Sequence, residues 1–266
     1  MISCKEYANI KKEEYKNIKD KMSLSIIQVG DNPAAESYVK GKVKDCNEVG
    51  IEVYVYKLPE NTDQIKLSQT VMRAATDGNT GIIIPLPLPE GLYLRKEWIW
   101  PFQDVDGMFY DSYSPCTPEG IIDWLEFNNI SLAGRHVVII GRSNLVGRPL
   151  AKMMIDRNAT VTLCHSQTKK LDLDKAVANA DIIVSAVGKP KIFKWDVPIL
   201  TCGEKIFIDV GINRDENGKM CGDLDYEYLE AQGHYITPVP EGVGLLTRVT
   251  LLKHLVNPKG SGLLCK

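Results

Sequence analysis

The sequence has no apolar stretch approaching the roughly 20 residues that a membrane-spanning helix requires. Its opening segment, MISCKEYANIKKEEYKNIKDK, lacks the apolar core of a signal peptide. Membrane insertion and secretion are therefore not expected, and a cytoplasmic protein is. Charge of one sign is also lacking: 32 basic and 34 acidic residues, interleaved along the chain, leave a net charge of -2. No basic face points to nucleic acid and no acidic run points to disorder, so a small-molecule partner is expected. The seven cysteines lack a pattern. They are odd in number and never form C-x-x-C, which argues against a disulfide framework and against a zinc site. Cys164 and His165 are adjacent but lack the further ligands a metal would need. The cysteines read as reduced thiols, and no metal is expected.

What is present is an alternation. The chain has 266 residues, 44% of them hydrophobic, which is enough for two modest domains. SLSIIQVG, IEVYVYKLP and TGIIIPLPLP read as strands, separated by AAESYVKGKVKDCNEVG and TDQIKLSQTVMRAATDG, each apolar at helical spacing and each ending at a glycine. Thr117-Pro118 reads as the N-cap and first position of a connecting helix. Beyond it HVVIIG, ATVTLC, ADIIVSAVG and KIFIDVGI read as strands, with helices at RPLAKMMIDRNA, LDKAVANA and DYEYLEAQ, and a final helix around TRVTLLKHLV. Strands alternating with helices indicate an α/β protein with parallel sheets, and the continuous β-branched runs indicate sheets covered on both faces.

The stretch HVVIIGRSNLVGRP has the strand, glycine and helix of a dinucleotide-binding turn, but Ser143 stands between Gly141 and Gly147 where the middle glycine would be. Serine keeps the turn small and adds a hydroxyl. Arg142 adds a fork of donors beside the helix-start amides. On this loop alone, a phosphate cradle and a plain strand-to-helix turn with a surface arginine stand equal. The next strand favours the cradle and specifies the nucleotide. ATVTLC ends in His165, Ser166 and Gln167 with no carboxylate for the ribose hydroxyls, while Arg142, Ser166 and His165 suit a 2′-phosphate. The expected cofactor is NADP.

In the first half, Tyr38 and Lys42 are four apart and share a helix face. By themselves they favour a half-buried tyrosine with a solvated lysine. Prolines at 85, 87 and 89 must sit at a strand's end or edge, and Asp104 and Asp106 of QDVDG suit a turn. Nine segments occur in order: VGDNPAAESYVKGK, PLPLP, DVDG, PCTPEG, GRSNLVGRP, CHSQT, AVGKP, DVGIN and TPVPEGVG. Together they resemble the methylenetetrahydrofolate dehydrogenase/methenyltetrahydrofolate cyclohydrolase family over nearly the whole chain.

The resemblance implies a β/α folate-binding catalytic domain over residues 1–117, joined by a C-terminal helix at 245–266, and a Rossmann-type, doubly wound NADP-binding domain over 118–244. It also implies a homodimer and a cleft that holds both ligands. Tyr38 would stack on the folate's aminobenzoyl ring, Lys42 would be the catalytic lysine, and Asp106 would hold the pterin. Gly141, Arg142, Ser143, Ser166 and Ile212 match the family's cofactor contacts. Hydrolysis of the methenyl product suits a lysine whose pKa is lowered by its surroundings.

Four positions depart from the family pattern. Pro85 replaces a glutamine expected to hydrogen-bond the lysine, Gln103 a lysine, and Glu119 a basic residue. Glu241 begins the segment that reads G-G-V-G-P-M in the family, and its side chain is expected to crowd a ligand. Loss of the hydrolytic step, or of catalysis altogether, are the alternatives these departures raise.

Overall fold

The computed structural model describes residues 1–18, 20–109, 111–193 and 203–259. The chain divides into two compact units. One comprises Asn9–Cys116 with the segment that begins at Arg248; the other comprises Met1–Ala8 with Thr117–Thr247.

In the first unit, β1 (Ser23–Val29) lies between β2 (Glu52–Leu58) and β3 (Gly81–Ile83), all parallel. The period-two alternation of β1 sorts its side chains to two faces. Leu24 and Ile26 pack with Val39 and Cys46 of α2 (Pro33–Glu48) and with Leu251 and Leu255 of the C-terminal helix. Ile27 and Val29 pack with Leu67, Val71 and Ala74 of α3 (Gln64–Thr76). Asp63 caps α3 by accepting from the Lys66 N–H at 2.7 Å. Gly50 and Gly78 follow α2 and α3 in the left-handed region, with φ of +82° and +80°, where a side chain would be strained. β3 ends just before Pro85, as a residue with no N–H requires.

In the second unit five parallel strands run in the order β10-β7-β6-β4-β5, comprising β4 (His136–Ile140), β5 (Thr160–Cys164), β6 (Ile182–Ser185), β7 (Ile206–Asp209) and β10 (Tyr235–Ile236). A two-residue hairpin, β8 (Asn213–Arg214) with β9 (Met220–Cys221), lies between β7 and β10 in the chain. α4 (Cys116–Phe127) precedes β4, α5 (Gly147–Ile155) links β4 to β5, α6 (Lys170–Asn179) links β5 to β6, and α7 (Tyr226–Ala231) precedes β10. β5 lies on one side of β4 and β6 on the other, so the strand order reverses at β4. In open parallel sheets, ligands bind at the carboxyl ends of the strands at such a point.

Several expectations are corrected. The C-terminal helix, α8, spans Val243–Val256; Pro258 disfavours helix at the residue before it, and residues 260–266 lie outside those described. α4 begins at Cys116, so Thr117 is in its first turn rather than its cap. An N-terminal helix, α1 (Cys4–Tyr15), had not been anticipated. Met1–Ala8 also group with the second unit, not the first. The Trp124 indole donates to the Ile2 carbonyl at 3.1 Å, Asn128 accepts from the Ile2 N–H at 2.7 Å, and Tyr7 meets Phe127 edge-on.

Candidate functional sites in the two units

In the first unit, helical spacing on α2 sets Tyr38 beside Lys42. The Lys42 side chain is 1% exposed. Its Nζ lies 4.3 Å from the centre of the Tyr38 ring and 3.2 Å from both carboxylate oxygens of Asp106. Asp106 is presented by a turn whose geometry is held by its neighbour: Asp104 accepts from the N–H groups of Met108 and Phe109 at 3.0 and 2.7 Å. The three expected catalytic residues therefore meet in one cluster.

Its electrostatics differ from expectation. Burial is the largest single influence on the Lys42 ammonium and opposes it, but Asp106 and, to a smaller extent, Tyr38 and Cys116 together raise the pKa above the ordinary lysine value. A lowered value had been expected. Burial likewise pushes the Tyr38 hydroxyl up to about 12, so the ring acts as a neutral aromatic platform. The dual contact, a charge pair on one side and an aromatic face on the other, holds the ammonium in a fixed direction.

The departures from the family pattern are placed as follows. Pro85 is buried just after β3. Gln103 is buried and faces its own unit: its Nε2 donates to the carbonyls of Ala75 and Asn79 at 3.1 and 2.9 Å. Glu119 lies in the first turn of α4. Glu241 adopts φ of +73°, and its carboxylate pairs with Lys5 at 2.8 Å.

In the second unit, a cavity of about 690 Å³ opens at the carboxyl ends of β5, β4 and β6. Gly141, Arg142, Ser143, His165 and Ser166 all line it. β4 and β5 pair up to Ile140 and Cys164, so the segments that follow them emerge side by side. Gly141 has φ of +121°, and a Cβ there would stand 2.3 Å from the Ala186 carbonyl. A Cβ on Gly147 would stand 1.9 Å from the Gly141 carbonyl. The two flanking glycines thus close a turn too tight for any side chain. Ser143 does more than keep the turn small: its Oγ accepts from the Val146 N–H at 3.2 Å, leaving its own proton to donate outward. His165 Nδ1 accepts from the Gln167 N–H at 3.2 Å, an arrangement that puts the ring proton on Nε2. The cradle fits a phosphorylated nucleotide: a serine hydroxyl, an imidazole N–H and an arginine line one cavity, with no carboxylate at the end of β5 and Asp174, the acid among the described lining residues, paired with Lys170.

Ile212 does not line this cavity. It is 62% exposed on the turn after β7. Sequence reasoning also missed two buried carboxylates below that turn, Asp209 and Asp223, 3% and 0% exposed. Asp223 directly follows Gly222 and Asp209 stands two residues before Gly211, and a carboxylate within two residues of a glycine near a strand end was the available signal. Among the described residues, no group of three His, Cys, Asp or Glu side chains is arranged to hold a metal, and no helix is long and apolar enough to cross a membrane.

Comparison with known proteins agrees with this geometry. The tetrahydrofolate dehydrogenase/cyclohydrolase catalytic domain matches residues 2–106, and the NAD(P)-binding domain of the same family matches residues 115–260. A relative named bifunctional protein FolD from Bacillus cytotoxicus is 41% identical, with 96% of this chain and 93% of the relative aligned. The crystal structure of bifunctional FolD methylenetetrahydrofolate dehydrogenase/cyclohydrolase from Campylobacter jejuni is 38% identical with a TM-score of 0.84, covering 96% of this chain and 94% of that one. A Trypanosoma brucei methylenetetrahydrofolate dehydrogenase-cyclohydrolase, complexed with NADP and an inhibitor, is 27% identical with a TM-score of 0.85, covering 96% and 95%. The chain belongs to the tetrahydrofolate dehydrogenase/cyclohydrolase family.

Proposed function

We propose that the protein oxidises 5,10-methylenetetrahydrofolate with NADP and hydrolyses the methenyl product to 10-formyltetrahydrofolate. The observation that carries this reading is the meeting of Tyr38, Lys42 and Asp106 at hydrogen-bonding and ring-contact distances in a chain of this family. The unit Asn9–Cys116, with the segment from Arg248, is the folate unit; the other binds NADP. Tyr38 stacks on the aminobenzoyl ring and Asp106 accepts from the pterin. Gly141, Arg142, Ser143, His165 and Ser166 hold the nucleotide's phosphates, while Ile212 lies outside that cavity on the turn after β7. NADP supplies a hydride acceptor when bound, so in the first step the protein's task is alignment of two ligands.

The second step needs proton movement at Lys42. A pterin that engages Asp106 draws the carboxylate away from the ammonium. Burial, with its strongest opponent removed, then favours the neutral amine that relays protons as water attacks the methenyl carbon. Asp106 thus does for Lys42 what a side chain at Pro85 cannot.

The reading includes a cytoplasmic homodimer. Five described cysteines are thiols outside any disulfide, as in a reducing compartment. β2 pairs only with β1 among the described strands, and its Tyr54 and Val55 side chains are 42% and 41% exposed, a surface suited to a second copy.

The test supplies methylenetetrahydrofolate with NADP, or with NAD, and follows NAD(P)H, methenyl- and 10-formyltetrahydrofolate against an enzyme-free control. NADPH with accelerated 10-formyl formation is expected. Methenyl accumulation would mark a dehydrogenase alone; no reduced cofactor in either arm would overturn the assignment.

A further inference from the structure

Asp223 lies beneath the nucleotide cavity with 0% exposure and accepts hydrogen bonds from two separate segments. Its Oδ2 receives the Ser185 hydroxyl at 2.9 Å and the N–H groups of Val187 and Gly188 at 2.7 and 3.2 Å. Its Oδ1 receives the Lys189 N–H and the Asn213 side-chain amide, both at 2.9 Å. Val187 and Lys189 line the cavity, and Asn213 directly follows Ile212. One carboxylate therefore holds the wall after β6 and the turn after β7.

The surroundings are built around this carboxylate. A Cβ on Gly211 would stand 2.2 Å from Asp223 Oδ1, and one on Gly222 would stand 2.0 Å from Asp209 Oδ2. The two glycines let the backbone close onto the acids. Asp209 in turn accepts from the N–H groups of Gly211, Asp223 and Leu224 at 2.9, 3.0 and 2.8 Å, which fixes where Asp223 begins. Each of these five partners of the Asp223 carboxylate donates. An asparagine of the same shape must turn its NH2 toward at least one donor and leave it unsatisfied in a buried site.

We propose that Asp223 is a positioning residue for NADP, setting the Val187–Lys189 wall against the bound nucleotide through one buried carboxylate that the Asn213 amide of the turn after β7 helps to hold. The proposal rests on the NADP reading of this cavity.

The test titrates NADP into full-length wild-type, D223N and N213A protein by calorimetry, and measures KM for each substrate. Wild type must bind; if it does not, the NADP reading itself falls. For D223N, loss of a buried hydrogen-bond partner is expected to raise the NADP Kd about tenfold. The KM for NADP should rise in parallel, with kcat and the folate KM changed less than about twofold, since only the nucleotide wall moves. N213A keeps the carboxylate and the β6 wall, and is expected to raise Kd by about threefold. A Kd within twofold of wild type in D223N, or a parallel loss of folate affinity reflecting general unfolding, overturns the proposal. If D223N does not fold, N213A and S185A decide: unchanged NADP affinity in both overturns it.

Discussion

At the scale of the residue, burial and pairing decide the chemistry. Lys42 is almost wholly enclosed, and its ammonium persists there because Asp106, Tyr38 and Cys116 together offset the cost of desolvation. Replacing it by an apolar side chain of similar length removes both the charge and that cost. K42M is therefore expected to keep its fold, with unfolding free energy within about 2 kcal/mol of wild type, while methenyl hydrolysis falls at least about 100-fold. Melting curves and methenyl absorbance check the two halves; hydrolysis near the wild-type rate would remove Lys42 from the mechanism.

Asp209 shows the opposite balance. Burial raises its pKa from 3.8 to about 6, with the nearby Asp223 adding to the rise against three backbone donors that lower it. The folded state thus holds this proton more tightly than the unfolded chain, so the contribution to stability is full below the ordinary carboxylate pKa and is lost as pH rises through about 6. D209N should flatten this part of the stability profile while losing about 1–3 kcal/mol from an unsatisfied backbone N–H. Urea unfolding between about pH 4 and 7 measures the slope; identical slopes in the two proteins would refute the assignment. Neither pKa direction was legible in the sequence, because each depends on groups distant in the chain, such as Asp106, 64 positions from Lys42.

At the scale of the element, the turn from β4 into α5 shows how local sequence and close packing cooperate. Two of the three usual glycines remain, and the structure explains which two: Gly141 passes under the Ala186 carbonyl and Gly147 under the Gly141 carbonyl, while position 143 faces outward and tolerates serine. G147A places a Cβ where no backbone adjustment short of opening the turn can admit it. The expected result is a stability loss of about 2 kcal/mol or more with loss of NADP binding, read by denaturant titration and calorimetry; unchanged binding would show that the turn does not form the cradle. α8 was legible as a helix from its apolar content, but its start at Val243 was obscured by the glycines at 242 and 244. α1 was missed because only Cys4, Tyr7 and Ala8 are buried along it, too few to mark an apolar face.

At the scale of the whole molecule, the proposed homodimer makes the exposed edge of β2 the element to perturb. A lysine in place of Val55, on a strand whose outer edge is unpaired among the described residues, adds a like charge from each copy and blocks edge-to-edge association. V55K is expected to sediment as a monomer where wild type sediments as a dimer. A V55K dimer of unchanged affinity would place the interface elsewhere. The sequence by itself determined the α/β alternation, the two parallel sheets, the family and the residue types at both candidate sites, because periodicity, turn chemistry and motif order are local properties. Only the tertiary structure decided that Gln103 turns inward, that Glu241 is taken by Lys5, that Ile212 stands apart from the cavity, and that Asp223 collects donors from segments 10 to 38 positions away. Those outcomes depend on which strand ends lie side by side, and side-chain partners across strands are set by sheet order and packing rather than by spacing along the chain.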